Sequence, residues 1–344
     1  MQALGCMPWQ TAAATAADAN AGSRDNTPSD PLPVLAHGLE VVRARPGTEI
    51  TDPDLRARIA ASGHPWKVRD RATGIEMVLV LPGEFRMGSP NSEVGRDDDE
   101  GPQHRVQLTR PFYLGRTEVT QAAWQRLMGP TPTFFPGADR PIDPSLRDVE
   151  SFLAKANAGA PDGFPPLRLP TEAEWEFACR AGSDGPWHFD GAIGHDQVNF
   201  NDGDVGRAIV VDGRLEVTWR TPPSPACRMA TARAGALAPN GFGLHDMHGS
   251  LWEWCADRYE ARAYDGREGL TVDPFLEPEE DDLRVLRGGS WYDRLHLCRS
   301  AVRDAGAPHV RSNRIGFRVA RSLRSPGEED RFGAEAPRGG STSR

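Results

Sequence analysis

An α+β domain is the fold class predicted by this sequence of 344 residues, and three of its features indicate it. Helical periodicity appears in only a few short segments, all of them before residue 182. The remainder alternates short apolar segments with turns, which follow from its 36 glycines and 30 prolines. Helices followed by a long β region rich in turns are typical of an α+β domain.

The first β signal of the main domain is the apolar run 77–81 in "GIEMVLVLPGEFRMGS". The Pro-Gly pair interrupts this run before the apolar pattern resumes, which predicts a β-hairpin. The segment "HRVQLTRPFYLGRTEVT" continues as strands. Residues 33–73 form a short preface whose best helix candidate is "DPDLRARIAAS". We therefore expect the main domain to span residues 74–322.

Two helices are predicted after these strands. "TQAAWQRLMG" has Thr120 as its N-cap, Trp124 and Leu127 on one face, and Gly129 as its end. "SLRDVESFLAKANAG" places its large apolar residues on one face of a second helix.

A further helix and the final strands complete the domain. "LPTEAEWEFACRAG" begins with a capping box of Thr171 and Glu174 and ends at Gly182. Helical periodicity is lost after that point. In the last apolar segments, residues 284–291 and 315–321 mix apolar and basic residues with glycine, which indicates two strands.

The two ends of the chain differ from the main domain in composition. Residues 1–32 and 323–344 are rich in small and polar residues and are predicted to be disordered, because they cannot offset their ordering entropy. The net charge of -9 argues against a general nucleic-acid binder, which needs clustered cations. No run approaches the roughly 20 apolar residues of a membrane helix, so no transmembrane segment is predicted.

The five cysteines bear on the cellular compartment. Their number is odd and they have no zinc-finger spacing, so neither a disulfide framework nor a structural zinc site is indicated. "ALGC" resembles a bacterial lipoprotein cleavage box, but too few residues precede Cys6 for a secretion signal. The chain as it stands is expected to be cytoplasmic, and lipoprotein-like export is the alternative if Cys6 belongs to a truncated signal.

Six motifs occur in a fixed order along the main domain. They are "PGEFRMGS", "FYLGRTEVTQAAW", "RLPTEAEWEFACRAG", "NGFGLHDMHGSLWEW", "RVLRGGSW" and "IGFRVAR". Together they resemble the formylglycine-generating enzyme family, also called the sulfatase-modifying factor family. The resemblance covers residues 74–322 and implies a variant of the C-type lectin-like fold, with short helices flanking twisted sheets and much irregular backbone.

The resemblance also implies an activity, which the residues here do not fully support. Active members oxidise a peptide cysteine to formylglycine with copper and oxygen, and two cysteine thiolates hold the soft Cu(I) ion. Counting on from "GGS", the first thiolate falls on Asp293. The second falls on Cys298 by simple spacing, or beside it if "RSAVR" is aligned instead. One sulfur is missing, so we do not expect copper; if the chain is active, Cys298 and Ser290 are the catalytic candidates.

Histidines offer a second route to a metal centre. His296 and Cys298 alternate, so on a strand both side chains would face one side as a ligand pair. His245 and His248 lie close together in "HDMH", within a glycine-rich turn, and we expect them to face solvent.

A calcium site is the cofactor that the resemblance favours. The implied ligands are Asp246, the carbonyl oxygens of Gly249 and Leu251, and Glu253. Carboxylates combined with carbonyls suit calcium, and the alternative is that Glu253 only pairs with a core arginine. A second family site would begin at Asn199 and Phe200, but the Asp-Gly-aromatic segment expected later is replaced by "VTWRTPPSPACRMATA".

A binding surface is the remaining hypothesis for the final segment. Arg287, Gly288, Gly289 and Ser290 are interpreted as structural, because the glycines allow close backbone approach. The residues expected to contact a ligand are Tyr292, Asp293, Arg294, His296, Val302, Asp304, His309, Ser312 and Arg314. The same frame resembles the variable region of proteins diversified by retroelements, whereas the plain alternative is a final hairpin with solvated arginines.

These observations predict a function. We expect a monomeric, calcium-stabilised scaffold without catalytic activity, which binds an unidentified protein or small-molecule ligand through residues 291–314. The alternative is a metal-dependent oxidase of the formylglycine-generating type that uses Cys298.

Overall fold

The computed structural model of the chain describes residues 38–160, 164–211 and 214–323, with the backbone alone for residues 204–220. The disorder predicted for residues 1–32 and for nearly all of 323–344, and the interpretation of Cys6, concern residues outside this range. In the described residues no helix has the length and apolarity needed to cross a bilayer.

The described residues contain fifteen strands, four α-helices and two short 3₁₀ helices. The strands are β1 (Leu39–Arg43), β2 (Lys67–Asp70), β3 (Glu76–Val80), β4 (Gly83–Met87), β5 (His104–Leu108), β6 (Phe112–Gly115), β7 (Leu167–Arg168), β8 (Asp204–Val211), β9 (Arg214–Thr221), β10 (Trp252–Arg258), β11 (Leu270–Val272), β12 (Arg284–Arg287), β13 (Arg303–Gly306), β14 (Ile315–Gly316) and β15 (Ala320–Ser322). The helices are α1 (Pro53–Ala61), α2 (Gln121–Met128), α3 (Leu146–Asn157) and α4 (Glu172–Arg180). This mixture confirms the predicted α+β class.

The largest sheet has six strands in the order β1-β2-β3-β6-β15-β7. β1 and β2, from the segment expected to be a preface, pair antiparallel with each other, and β2 pairs with β3. β15, close to the end of the described chain, lies between β6 and β7. The sheet therefore joins both ends of the described chain, and no structural break separates residues 39–70 from the main domain.

The hairpin predicted around residues 82–83 is wrong. β3 pairs with β2 and β6, whereas β4 pairs with β5 in a separate three-stranded sheet of order β11-β5-β4. The Pro-Gly pair thus marks a change of sheet. A β-carbon added at Gly83 would lie 2.9 Å from the Phe177 ring, so the close packing of α4 accounts for this glycine.

The capping residues of the helices confirm their predicted starts. Thr120 and Thr171 accept hydrogen bonds from backbone N–H groups in the first turns of α2 and α4, and Glu174 completes the α4 capping box. α4 ends one residue earlier than expected, because Ala181 adopts the left-handed conformation with φ of 46°. α2 and α3 pack through parallel rings of Trp124 and Phe152, 5.2 Å apart.

The four-stranded sheet, in the order β13-β12-β10-β14, positions the final segment. β12 ends at Arg287 and the chain turns through Gly288 and Gly289, so the strand is shorter than the predicted 284–291. A β-carbon at Gly289 would lie 2.7 Å from the Cys298 sulfur, which confirms its structural role. The Trp291 N–H donates to the Ser250 carbonyl and thereby fixes this turn against the loop that precedes β10.

Candidate functional site

Asp293 stands where the family pattern expects a metal-binding thiolate. One of its carboxylate oxygens accepts hydrogen bonds from the Ser290 N–H at 3.0 Å, the Ser290 hydroxyl at 2.5 Å and the Trp252 indole at 2.7 Å. The carboxylate therefore holds the turn after β12 closed. Ser290 is itself fully buried.

Cys298 lies on a 3₁₀ helix, Leu295–Cys298, so the strand geometry on which a His296 and Cys298 ligand pair depended is absent there. As a result Cys298 is fully buried while His296 is exposed, so the two do not form a ligand pair. The Cys298 thiol contacts the Arg294 carbonyl at 3.7 Å, and burial raises its pKa well above the usual value. A thiol in this environment stays protonated at neutral pH.

Part of the predicted ligand-binding surface is assembled. The Arg314 guanidinium lies over the Tyr292 ring, 5.2 Å from its centre. Partial burial of its carboxyl raises the pKa of Asp304. The neighbouring charge of Asp293 raises it further, and the charge of Arg314 lowers it. Tyr292, Asp293, Asp304 and Arg314 are therefore neighbours. The Ser312 hydroxyl accepts from the Arg314 N–H at 3.3 Å. We call Tyr292, Asp304, Ser312 and Arg314 the Tyr292 surface.

Other predicted contact residues lie elsewhere or are inaccessible. Val302 is only 1% exposed and belongs to the hydrophobic core, because its side chain faces inward next to β13; its assignment to a ligand surface is therefore corrected. His296 packs against Gly95, while His309 is exposed beside Pro308, whose carbonyl accepts from the Arg147 N–H. Arg294 is exposed at the start of the 3₁₀ helix.

Among the arginines of residues 291–314, Arg299 and Arg303 are buried, whereas Arg294, Arg311 and Arg314 are exposed. Arg299 binds Glu100 through two nitrogens, at 2.6 and 2.8 Å, and Arg303 binds Glu172 at 2.6 Å. All four side chains are buried. These arginines anchor the segment to the rest of the domain.

Glu253 does not behave as a free metal ligand. Its two oxygens accept from the Arg318 guanidinium, each at 2.6 Å, and one also accepts from the Trp175 indole at 2.8 Å. All three residues are buried. The geometry matches the alternative weighed for this residue, a carboxylate paired with a core arginine.

Asp246 differs from Glu253 in its pairing. It adopts a φ of 56°, and one oxygen accepts from the Gly235 N–H at 2.5 Å. The other oxygen is buried and has no hydrogen-bond partner among the described residues. Burial raises the pKa of Asp246 to about 6. The backbone that follows is tightly packed, since a β-carbon at Gly249 would lie 2.2 Å from the Asn199 carbonyl oxygen, and Leu251 is buried.

Glu118 is a site residue that sequence reasoning missed. It is 1% exposed, and neither of its oxygens makes a hydrogen bond of normal geometry within the described part of the chain. Burial raises its pKa well above the usual value and the neighbouring charge of Asp246 raises it further, while Arg318 and the nearby Ser250 hydroxyl lower it. Glu118 lies in "TEVTQ", two residues before the N-cap of α2, where its charge alone gives no sign that it is buried.

The residues of the expected second calcium site are also buried. The Asn199 amide donates to the Ala230 carbonyl at 2.9 Å, and its side-chain oxygen has no partner within the described residues. The Phe200 carbonyl accepts from the Cys227 thiol at 3.4 Å. Asn199 and Phe200 thus contact the very segment that departs from the family pattern.

His245 and His248 are buried, so the prediction that they face solvent is wrong. The Leu237 carbonyl accepts from one ring nitrogen of His245 at 2.7 Å, and the Cys298 carbonyl accepts from His248 at 2.8 Å. Burial lowers the pKa of each imidazole to about 4, so both are neutral at pH 7. Their partners are backbone carbonyls, which local sequence does not reveal.

Comparison with known families matches residues 64–323 to the sulfatase-modifying factor enzyme 1-like domain. The chain is 30% identical over 307 residues to a formylglycine-generating enzyme of Streptomyces coelicolor, covering 76% of this chain and 94% of that protein. It is also 30% identical over 182 residues to an inactive C-alpha-formylglycine-generating enzyme 2 of Mus musculus, covering 50% of this chain and 49% of that protein.

Two solved structures share the fold. PvdO from Pseudomonas aeruginosa superposes with a TM-score of 0.61 at 28% identity, covering 75% of this chain and 98% of that one. Treponema denticola variable protein 1 has a TM-score of 0.57 at 22% identity, covering 72% and 95%. The fold expected from the six motifs is therefore confirmed.

Proposed function

This chain belongs to the sulfatase-modifying factor family, and from that premise we propose that it is a non-catalytic member that binds a ligand through its final segment. This proposal rests on the identity and contacts of Asp293. Its carboxylate stands where a copper-binding thiolate is expected and is already bound by Ser290 and Trp252. A hard oxygen ligand is a poor substitute for sulfur on Cu(I).

The state of Cys298 supports the same proposal. Copper binding requires a thiolate, but this thiol is fully buried and its pKa is raised. Its neighbours are apolar, since Val198 and Phe200 pack with it. Formylglycine chemistry would also need a second sulfur, which Asp293 cannot supply.

The relatives are consistent with either outcome for catalysis. One relative is a formylglycine-generating enzyme and another is described as inactive, so family membership alone does not assign an activity to this chain. The likeness to a Treponema variable protein concerns the fold alone. The proposal therefore rests on the side chains of Asp293 and Cys298.

The Tyr292 surface is the proposed binding face. It combines the half-buried Tyr292 ring with the exposed groups of Asp304 and Arg314. An aromatic ring supplies contact area at low conformational cost, and flanking charges supply directional hydrogen bonds. Because buried ion pairs of Arg299 and Arg303 hold the segment beneath it, this surface can vary without loss of the fold.

Calcium is the proposed stabilising cofactor, with a ligand set that differs from the expected one. Asp246 and Glu118 fit a hard cation, because three of their oxygens are buried without a partner in the described chain. Glu253 does not fit, because Arg318 and Trp175 already bind it. The carbonyls of Gly249 and Leu251 remain the additional ligands that the family pattern implies. Calcium bound there would neutralise two carboxylates that are costly to bury.

Two measurements test the non-catalytic assignment. The protein is incubated with copper, oxygen and a sulfatase-type cysteine peptide, and mass spectrometry then follows conversion of the cysteine to the aldehyde. In parallel, Cu(I) is titrated into wild type and Cys298→Ser. We expect no aldehyde and no stoichiometric Cu(I) binding that depends on Cys298. Aldehyde formation, or tight binding that disappears in the variant, would restore the oxidase.

The binding face is tested with a phage-displayed peptide library. Peptides selected on wild type are re-measured on Tyr292→Ala and Arg314→Ala, with the exposed Asp190→Asn as a matched control. We expect about a tenfold or greater loss of affinity in the first two variants and none in the control. Failure to enrich any peptide, or equal binding to all variants, would remove the Tyr292 surface from the proposal.

A further inference from the structure

Three side chains of different chemistry meet at the base of the β8–β9 hairpin. One ring nitrogen of His195, one carboxylate oxygen of Asp202 and the sulfur of Cys227 lie within 4.8 Å of one another. Asp202 comes just before β8 begins at Asp204, and Cys227 follows the end of β9 at Thr221. The hairpin therefore brings together residues that are far apart in sequence.

This donor set has the chemistry of a zinc site. Imidazole nitrogen, thiolate sulfur and carboxylate oxygen are the three protein donors that Zn²⁺ uses. In a tetrahedral site with bonds of about 2.0–2.3 Å, neighbouring donor atoms lie about 3.3–3.7 Å apart. The His195 nitrogen and the Asp202 oxygen are 3.0 Å apart, and the Cys227 sulfur lies within 4.8 Å of both. A sulfur donor and an imidazole favour zinc over calcium.

Neighbouring groups contact two of the three side chains. The Ser224 N–H donates to one Asp202 oxygen at 2.9 Å, which leaves the second oxygen facing His195. The Phe200 ring lies parallel to the imidazole, 4.3 Å away, and the Arg228 guanidinium donates to the His195 carbonyl at 2.6 Å. Outer contacts of this kind are what hold metal ligands in place.

Two further features of these side chains are compatible with a metal. The second ring nitrogen of His195 is buried and has no partner among the described residues. Cys227 is partly exposed, in contrast to the buried Cys179, Cys255 and Cys298, so a dissolved ion can reach its sulfur.

We propose that His195, Asp202 and Cys227 form a zinc site with a fourth position open to water, which ties together the two ends of the β8–β9 hairpin. The site adjoins the Tyr292 surface, because the Asn201 amide, next to Asp202, donates to the Tyr292 carbonyl at 3.2 Å. It shares no side chain with that surface or with the Glu118 and Asp246 carboxylates, so it goes beyond the proposed function. The spacing of the three residues matches no local zinc motif, which is why the sequence alone did not indicate this site.

The rival location for a soft metal is the buried group of Cys179, His188 and His248. The Cys179 sulfur lies 3.7 Å from a nitrogen of His248, and the His188 and His248 rings are 4.8 Å apart. Burial raises the pKa of the Cys179 thiol to about 12, and the sulfur is fully buried. An ion would have to displace the core to reach it.

Zinc is titrated into the metal-free full chain in competition with a chromogenic chelator, and Co²⁺ is used as a spectroscopic substitute. We expect one zinc per chain and a thiolate-to-cobalt charge-transfer band in the near ultraviolet. His195→Asn, Asp202→Asn and Cys227→Ser should each weaken zinc binding by at least about a hundredfold, more than the loss of an outer contact. Cys227→Ser should abolish the charge-transfer band.

Three controls keep the result interpretable. Asp190→Asn and His309→Asn each remove an exposed group of the same type and should retain both zinc and the band. His248→Asn probes the rival group. Amide exchange across β8 and β9 should slow when zinc is added to wild type. This tests, independently of affinity, whether the ion links the two ends of the hairpin.

The proposal is overturned if wild type binds no zinc below millimolar concentration, or if the three ligand variants bind it as wild type does. It is also overturned if binding survives in His195→Asn and is lost in His248→Asn, because the metal would then belong to the buried group. None of these outcomes depends on peptide binding or copper chemistry, so failure here is distinguishable from failure of the proposed function.

Discussion

Two buried groups of carboxylates in this molecule differ in how their charge is balanced. In the first, which we call the arginine cluster, Glu172 and Glu176 are paired with Arg180, Arg287 and Arg303. Arg180 binds Glu176 at 2.8 Å, Arg303 binds Glu172 at 2.6 Å, and Arg287 contacts Glu176 directly. Burial raises the pKa of Glu172, but the nearby arginines outweigh it and lower the value overall.

The second group, Glu118 and Asp246, is equally buried but lacks that balance. Burial raises the pKa of both carboxyls, and three of their four oxygens have no partner among the described residues. Arg318, the nearest buried cation, is bound by Glu253. The comparison teaches that burial does not by itself mark a functional carboxylate. A missing partner is the better indicator, because an unpaired buried charge requires a proton or a cation.

The largest effect is expected from breaking the arginine cluster. Arg287→Met and the milder Glu176→Gln each leave a buried charge without its partner, which costs about 3–5 kcal/mol of the free energy of unfolding. Arg287 also donates to the carbonyls of Ser300 and Ala301, so its loss uncouples two chain segments.

Urea unfolding of these variants is compared with Arg105→Met, which breaks the exposed pair of Arg105 and Glu84. The exposed pair should contribute far less, because solvent screens it and its long side chains lose freedom when they pair. Equal losses in the buried and exposed variants would show that the cluster is no more important than a surface ion pair.

Calcium should have the next largest effect, through the unbalanced group. An ion that binds only the native state adds about 2.7 kcal/mol at a hundred times its dissociation constant. Thermal melts in calcium and in chelator should therefore differ for wild type, and the difference should disappear in Asp246→Asn and Glu118→Gln.

Asp190→Asn is the matched control and should keep the calcium response. Glu253→Ala should destabilise the protein with or without calcium, because it leaves Arg318 unpaired. Identical wild-type midpoints in calcium and chelator would contradict the calcium proposal.

The free energy of unfolding should also depend on pH, through Asp257, which accepts from the Glu172 N–H beside the arginine cluster. Burial raises the pKa of Asp257 from 3.8 to about 7, and the neighbouring Glu172 adds to the shift. Between those values the folded chain holds a proton that the unfolded chain has released. The stabilisation is therefore complete below about pH 4 and is lost as pH rises through 7, by at most about 1.4 kcal/mol per pH unit.

Urea unfolding of wild type and Asp257→Asn across pH 4–8 measures this slope. The variant should lose the Asp257 contribution to the slope, whereas Asp246, His245 and His248, whose pKa values are also shifted, still titrate in this range. Its overall stability is lower because an amide cannot accept from both the Glu172 and Leu276 N–H groups. Asp190→Asn should retain it. An unchanged slope in Asp257→Asn would mean that another group titrates.

The smallest effect on folding is expected at the Tyr292 surface, which lies outside both carboxylate groups. Tyr292→Ala and Asp304→Asn should each change the free energy of unfolding by no more than about 0.5 kcal/mol, as surface substitutions do. Circular dichroism melts test this directly. A loss as large as that of Glu176→Gln would show that the surface is part of the frame and is not free to vary.

Local sequence signals predicted the helices better than the strands. The caps at Thr120 and Thr171 were identified correctly, because a capping side chain bonds to N–H groups only two or three residues away. The hairpin at residues 82–83 was predicted wrongly, because the choice of strand partner depends on residues far along the chain. The proposed pairing of His296 with Cys298 likewise depended on strand geometry, whereas the segment forms a 3₁₀ helix.

The sequence by itself determined the α+β class, the helix starts and the family, because each depends on residue identity and short spacing. Only the tertiary structure decided that Glu253 is bound by Arg318, that Glu118 and Asp246 are buried with three unpartnered oxygens among the described residues, and that Cys227 lies within 4.8 Å of His195. Charge balance and ligand geometry depend on distances between segments that fold together from separate parts of the chain. A linear pattern does not contain those distances.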